Sequence, residues 1–248
     1  MKIYRRVRTW IMLSILIIFS VLMPFVFFMA SSAEQPNVWE VTQITMNVTF
    51  FLNIIFVVVI AADSVASEFS TGTIKLLLIR PWSRSKILLS KYISLILFSV
   101  LSSVVVFGVA FLSSNIWFNY EGNSGMFPST SSNISYTLMI LGSSYVQLIM
   151  ITMIAFMIST LFRSSTFAIA LSLFVLFTKD IFLAILNPDQ YGWMKYVIFT
   201  HMDLKGYINS SVGPGGSSFT FSILVLAGYY IVFVLLSWFV FKKRDIAT

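Results

Sequence analysis

The sequence predicts an all-α integral membrane protein with six transmembrane helices and both termini on the cytoplasmic side. Three observations carry this. Of 248 residues, 58% are apolar and 10% charged, against about 25% charged in an average soluble domain. The apolar residues fall in unbroken blocks near twenty residues long, the length a helix needs to cross about 30 Å of hydrocarbon. Thirteen of the sixteen Lys and Arg residues fall in alternate segments between those blocks. Inside lipid every backbone N–H and C=O must be bonded internally, so the choice is between helices and a closed barrel. Barrel strands would alternate apolar and polar residues, which these blocks do not.

The spans run from about Trp10 to Ala30, Gln43 to Ala62, Tyr92 to Leu112, Ser135 to Phe162, Thr166 to Leu186 and Phe219 to Phe241. Residues 1–248 are expected to form a single membrane domain, since neither a linker nor an internal repeat divides them. The first block also has features of a signal peptide: a basic start and Ser31–Ser32–Ala33 at its end. Its apolar stretch is longer than the 7–15 residues of such a peptide, so a retained span is expected.

Orientation follows from the cations. Lys2, Arg5, Arg6 and Arg8 precede the first span, and Lys75, Arg80, Arg84, Lys86 and Lys91 lie between the second and third. Arg163 separates the fourth and fifth, and Lys242, Lys243 and Arg244 follow the last. The positive-inside rule places these segments in the cytoplasm. Lys195 and Lys205 fall on the other side, and Lys179 inside a span. Trp10, Trp39, Trp117 and Trp238 sit near span ends, as an interfacial aromatic belt requires. On the external side, Ser113 to Ile134 reads as an irregular loop rich in Asn, Ser and Gly. Asn187 to Ser218 is longer and more apolar, and its Tyr191 to Ile208 part is suited to dipping back into the outer leaflet before Gly213–Pro214–Gly215–Gly216 breaks the chain.

Catalytic chemistry is hard to place on this chain. The absence of cysteine removes disulfides and thiolate metal sites. No Gly-rich loop followed by Lys and Ser/Thr cradles a phosphate, so ATP binding of the P-loop kind is excluded. His201 is the single histidine, in an external loop, where an interfacial role outweighs that of a ligand or base. The net charge of +7 is accounted for by topology, and nucleic acid is not expected as a partner. The expectation is a chain that is not an enzyme, with no cofactor or metal of its own.

The informative stretch is Asp63 to Lys91. The second helix emerges past Asp63 and Glu68, Gly72 offers a turn, and Ile74, Leu76, Leu77, Leu78 and Ile79 form a short amphipathic piece. Arg80–Pro81 ends that piece, because the residue before proline disfavours helix. Ser83 or Ser85 can cap the next helix, and Arg84, Lys86 and Lys91 are placed to meet lipid phosphates or a partner. An ordinary basic loop reaching to headgroups and a docking surface fit these residues about equally.

Glu68, Gly72–Thr73, the leucine run, and Arg80–Pro81–Trp82–Ser83–Arg84 followed by Leu88 and Lys91 resemble the signature of the ABC-2 permease family, the membrane subunits of ATP-binding-cassette exporters. Phe241-Lys-Lys-Arg244-Asp245-Ile246 after the last span is similar to that family's ending. The resemblance implies that the first cytoplasmic loop is a coupling helix. Glu68, Phe69, Gly72, Thr73, Arg80, Pro81, Ser83 and Arg84 would then face a separate ABC ATPase subunit that binds ATP and Mg. It further implies a dimer with a second permease copy or paralogue, and a re-entrant external hairpin between spans five and six. The location implied is the plasma membrane of a bacterium. The family usually opens with an amphipathic interfacial helix, and only Met1 to Thr9 precede the first span here.

An ATP-independent channel or secondary carrier is the alternative, and it predicts intramembrane charges along a path. Lys179 and Asp180 are the adjacent charges inside a span. Lys179 falls on the small, partly polar stripe of Ser165, Ala168, Ser172 and Val175, while Asp180 lies about 100° round the helix, so the two are not expected simply to pair. Lys179, Asp180 and Ser172 are candidates for a gate or translocation path; the plainer reading has Lys179 reaching the headgroups and Asp180 capping a turn. Spans rich in Phe and Met give deformable apolar surfaces, which suit an amphipathic peptide, a hydrophobic antibiotic or a lipid as cargo.

Overall fold

The computed structural model describes residues 7–30, 36–73, 83–120, 133–188, 190–210 and 212–243. Among them are six long helices, each long and apolar enough to cross a membrane: α1 (Val7–Ala30), α2 (Val38–Ser70), α3 (Arg84–Trp117), α4 (Asn133–Leu161), α5 (Ser165–Ile185) and, last in the chain, α8 (Phe219–Lys243). Between α5 and α8 lie two short α-helices, α6 (Ile198–His201) and α7 (Gly206–Asn209), and two 3-10 turns at Gly192–Tyr196 and Pro214–Gly216. The fold is all-α, as the apolar blocks predict.

Local sequence explains where the helices start. Asn37 Oδ1 accepts from Trp39 N (3.1 Å), Ser83 Oγ from Lys86 N (3.4 Å), Ser164 Oγ from Phe167 N (3.3 Å) and Ser218 Oγ from Phe221 N (3.3 Å). Each satisfies a donor that a helix start leaves open. Of the two serines expected to cap α3, Ser83 does so. Gly72, at φ +69°, turns the chain out of α2 in a conformation that side chains disfavour.

α2 is the core of the bundle. It packs on α1, α3, α4 and α5, and 56% of its most apolar window is buried, against 11% for α8, which serves as an outer stave. Cross-helix bonds fix the relative directions. Gln43 Nε2 donates to Thr137 Oγ1 (3.2 Å) near the starts of α2 and α4, and Val65 and Ala66 N–H donate to Ser159 Oγ near their ends (3.1 and 3.0 Å), so these helices run parallel. α3 runs antiparallel to α2. Asn37 Nδ2 donates to Tyr120 O (2.8 Å) at one end and Asn53 Nδ2 to Ser103 Oγ (3.4 Å) midway. Serines inside α3 turn back on their own helix, as Ser99, Ser103 and Ser114 do on carbonyls three or four residues earlier, the usual way to satisfy a hydroxyl in a span.

Two expected boundaries are corrected. Hydropathy puts the second and third spans at 43–62 and 92–112, but α2 and α3 have 33 and 34 residues. At 1.5 Å per residue each is about 50 Å long, well beyond a hydrocarbon core of about 30 Å. Hydropathy marks only the apolar window; the helices continue because their polar end residues find partners on neighbouring helices. The loop expected from Ser113 is helical through Trp117. Residues 121–132, and the amphipathic piece at 74–79, lie outside the described residues.

Candidate functional site

The last two turns of α2 carry Asp63, Ser64, Ser67 and Glu68, and here the helices are tied together. Asp63 Oδ2 accepts from Arg8 Nη2 of α1 at 2.6 Å, and Asp63 Oδ1 accepts from the Ser165 hydroxyl at the start of α5. One turn further, Lys91 Nζ of α3 stands 2.7 Å from Glu68 Oε2 and donates to Ser64 O at 2.5 Å. The Lys91 and Glu68 side chains are 15% and 7% exposed, so this ion pair is largely shielded from water. The Arg8–Asp63 bond is charge-assisted, a kind roughly twice as strong as a neutral one. With Ser159 on Val65 and Ala66, α4 joins the same end.

The remaining long helix, α8, is attached through its carboxyl end. Arg84 Nη1 donates to Lys242 O (3.2 Å), a cation on the carbonyl terminus of a helix, where the macrodipole favours it. Trp238 Nε1 donates to Ser85 Oγ (2.9 Å), and the Phe69 and Phe241 rings meet edge-on with centroids 6.5 Å apart. All six long helices therefore converge on one braced end, and α2 and α3 leave it at Thr73 and Ser83 as the two roots of the segment 74–82.

Of the residues expected at a partner interface, Glu68, Phe69, Gly72, Thr73, Ser83 and Arg84 are brought together at this end. Glu68 and Phe69 face inward, and Thr73 Oγ1 lies 3.0 Å from Thr71 Oγ1. Arg80 and Pro81 lie outside the described residues. Lys91, expected to reach lipid phosphates or a partner, instead turns inward to Glu68. Its four-carbon stem lets the ammonium seek a carboxylate on the next helix rather than the surface.

At the opposite end, a buried polar chain was missed in the sequence. His201 is wholly buried, with Nε2 2.7 Å from Lys195 O and Nδ1 2.7 Å from Ser222 Oγ. The Tyr207 hydroxyl reaches Ser222 Oγ (2.6 Å) and Ser217 Oγ (2.8 Å). A carbonyl only accepts, so Nε2 carries the ring proton and, in the neutral ring, Ser222 donates to Nδ1. The histidine is thus an internal fastener of the connector to α8. Its position among aromatic loop residues gave the sequence no periodicity from which to read burial.

In α5, Ala168, Ser172, Leu176 and Lys179 are buried, whereas Ser165 and Val175 of the stripe expected to face the bundle are half-buried. The pairing expectation is corrected: Lys179 Nζ lies 2.6 Å from Asp180 Oδ1. The flexible lysine stem spans the 100° between adjacent positions, which a fixed helical projection does not allow for. Asp180 stays 69% exposed on its side chain, and the Ser172 hydroxyl donates to Ala168 O of its own helix (2.7 Å). Among the described residues, no group of three or more His, Asp or Glu side chains is placed to hold a metal ion.

Comparison with known proteins places this architecture among bacterial membrane proteins. Over 223 residues the chain is 36% identical to "Uncharacterized protein YhcI" of Bacillus subtilis (strain 168), covering 85% of this chain and 70% of that one. Over 249 residues it is 26% identical to "Uncharacterized membrane protein YdbK" of the same strain, covering 99% of each. The model of the family described as Protein of unknown function (DUF2705) matches residues 8–247, and the chain belongs to that family as a multi-pass membrane protein.

Proposed function

We propose that this chain is the membrane-spanning subunit of an exporter driven by a separate ABC ATPase, with the braced basic end in the cytoplasm and segment 74–82 as the element that docks to the ATPase. The supporting observation is mechanical. α2 and α3 continue past their apolar windows, and the Glu68–Lys91 pair and the Arg84–Lys242 contact clamp them just before the segment begins. A push on the segment is then delivered to all six long helices rather than absorbed in a loose loop. The resemblance of Arg80–Pro81–Trp82–Ser83–Arg84 to the ABC-2 signature supplies the identity of the docking partner. The chain works as a dimer with a second copy or a paralogue, and its cargo is an amphipathic peptide, a hydrophobic antibiotic or a lipid. Lys179 and Asp180 form part of a gate at the outer end of that path.

Tagged protein purified from its host in mild detergent and photolabelled with an azido-ATP should bring down a labelled P-loop polypeptide. Arg80→Glu with Pro81→Gly should remove that polypeptide, while the variant still inserts and keeps the wild-type melting profile. Retention of the ATPase by the double variant would overturn the docking assignment. Glu68 and Arg84 are poor probes for this purpose, since their substitution also loosens the bundle.

Orientation has its own test. In a chain without cysteine, Ser70→Cys should resist an impermeant maleimide in intact cells and react after permeabilisation. Ser210→Cys should react in both. Labelling of position 70 from outside would invert the proposed topology.

One feature favours the second reading, an ATP-independent channel or carrier. The Thr45 and Thr49 hydroxyls and Asn53 Oδ1, spaced one turn apart along the buried face of α2, have no hydrogen-bond partner among the described residues. Unsatisfied groups at such depth are rare and can mark a polar path. Transport that persists in proteoliposomes without nucleotide or ATPase would select this reading over the exporter.

A further inference from the structure

We propose that the outer side of the α3–α8 contact, at the braced basic end, binds a phospholipid with an anionic headgroup of the phosphatidylglycerol kind. The proposal rests on the chain being a multi-pass membrane protein and is independent of the exporter reading.

Three contacts set the register of the two helices. Trp238 Nε1 donates to Ser85 Oγ, the Tyr92 and Tyr230 hydroxyls are bonded to each other, and Arg84 Nη1 donates to Lys242 O. Residue numbers rise along α3 as they fall along α8, so the pair is antiparallel. In such a pair, turning round each helix by 100° for every residue added leads to the same side of the contact. Counted from Ser85, Leu89 and Ile93 lie about 40° and 80° round α3. Counted from Trp238, Ile231, Lys242 and Leu235 lie about 20°, 40° and 60° round α8. Burial follows the same division. Leu89 and Leu235 are each 57% exposed, and Ile93 and Ile231 are exposed as well. Leu88 and Leu95 of α3, and Ser237 and Phe241 of α8, lie toward the other side and are buried. The two helices thus share one exposed apolar strip, and Lys86 and Lys242, both exposed, stand at its end.

Two features say what covers the strip. The first is continuity. α8 is the outer stave of the bundle, with 11% of its apolar window buried, and the strip belongs to the apolar surface that such a stave turns toward lipid tails. The second is charge. Lys242 Nζ lies 4.8 Å from the centroid of the Trp238 ring, and Lys243 Nζ lies 4.5 Å from that of Phe239. Both ammonium groups rest on aromatic rings at the end of the strip, and Ser85 pins the first of those rings. Asp63 and Glu68, the described carboxylates at this end, are buried and engaged by Arg8 and Lys91. Among the described residues, Lys242 and Lys243 therefore meet no carboxylate. Uncompensated cations at the end of an apolar strip match a molecule with an acyl chain at one end and a net negative phosphate at the other. A zwitterionic headgroup would bring its own ammonium toward the lysines, and an acidic soluble protein would leave the strip uncovered.

The test titrates the purified, delipidated full chain in detergent with phosphatidylglycerol or phosphatidylcholine of identical acyl chains, read by native mass spectrometry. Wild type should bind phosphatidylglycerol at least about tenfold more tightly, since each basic residue near an anionic lipid is worth about fivefold. Lys242→Gln with Lys243→Gln should weaken phosphatidylglycerol by about 25-fold and leave phosphatidylcholine unchanged. The double variant keeps the Lys242 carbonyl that Arg84 holds, and Lys242→Arg with Lys243→Arg should restore binding. Leu89→Gln with Leu235→Gln should weaken both lipids severalfold, which a headgroup contact alone would not do. Lys195→Gln with Lys205→Gln removes two cations from the opposite end and should change neither affinity. Equal affinity for the two lipids, or equal loss in the Lys195/Lys205 variant, would overturn the proposal. So would disulfide-linked dimers of Leu235→Cys, which would give the strip to a second copy. Loss of a co-purifying protein from the Lys242/Lys243 variant, with lipid affinity intact, would give the cations to that protein and equally overturn it.

Discussion

Lys91→Met is expected to destabilise the folded protein by about 3–5 kcal/mol, the usual cost of removing one partner from a buried ion pair. The methionine keeps most of the apolar stem, so packing against α2 changes little. What is lost is the ammonium 2.7 Å from Glu68 Oε2 and its bond to Ser64 O. A carboxylate only 7% exposed then loses the ammonium beside it. Glu68→Gln should cost less, because it keeps the side-chain volume and Lys91 keeps its bond to Ser64 O. The informative variant is the double change Lys91→Met with Glu68→Met. Two apolar side chains of similar volume remove both desolvated charges, and buried pairs replaced in this way often give back most of the lost stability. Thermal unfolding in detergent, followed by tryptophan fluorescence, should place the midpoint of the single variant well below wild type and that of the double variant between the two. If Lys91→Met melts with the wild-type protein, the pair does not brace α2 against α3, and the mechanical argument for the docking segment loses its main support.

The parts of this molecule legible in its sequence are those governed by local rules. Six apolar blocks became six long helices because the need to satisfy the backbone in lipid leaves little choice. The Ser83 cap, the Gly72 turn and the buried stripe of α5 followed from short-range stereochemistry. The braces were not legible, since each joins residues far apart in the chain. Asp63 meets Arg8 and Ser165, Glu68 meets Lys91, and Arg84 meets Lys242. No helical spacing announces such pairs, and a basic loop looks the same whether its lysine points outward or inward. The true lengths of α2 and α3 were hidden for the same reason, because their polar ends are helical only by virtue of those distant partners. The Lys179–Asp180 pair shows the opposite limit. The residues were identified, but a rigid helical wheel misjudged the reach of a flexible side chain.

The buried chain at the other end yields the second large effect. His201→Ala should open the connector while leaving the bundle folded. The substitution deletes the donor to Lys195 O and the acceptor for Ser222 Oγ, and it leaves a void where a wholly buried ring stood. Each orphaned buried group costs about 1–3 kcal/mol, and the void adds to this because its surroundings collapse only in part. A total of about 3–5 kcal/mol is expected. Its expression should be local. The connector is held by short helical turns and this chain of side-chain bonds, whereas α2 is packed on four long helices, and proteins open first where contacts are fewest. Amide hydrogen exchange in detergent should therefore accelerate across residues 192–217 and stay at wild-type protection across 54–62. Ser222→Ala should show a smaller acceleration, because Tyr207 keeps its bonds to Ser217 and His201 keeps Lys195 O. Exchange in the connector of His201→Ala that matches wild type would mean that apolar contacts alone hold the segment, leaving the polar chain no fastening role.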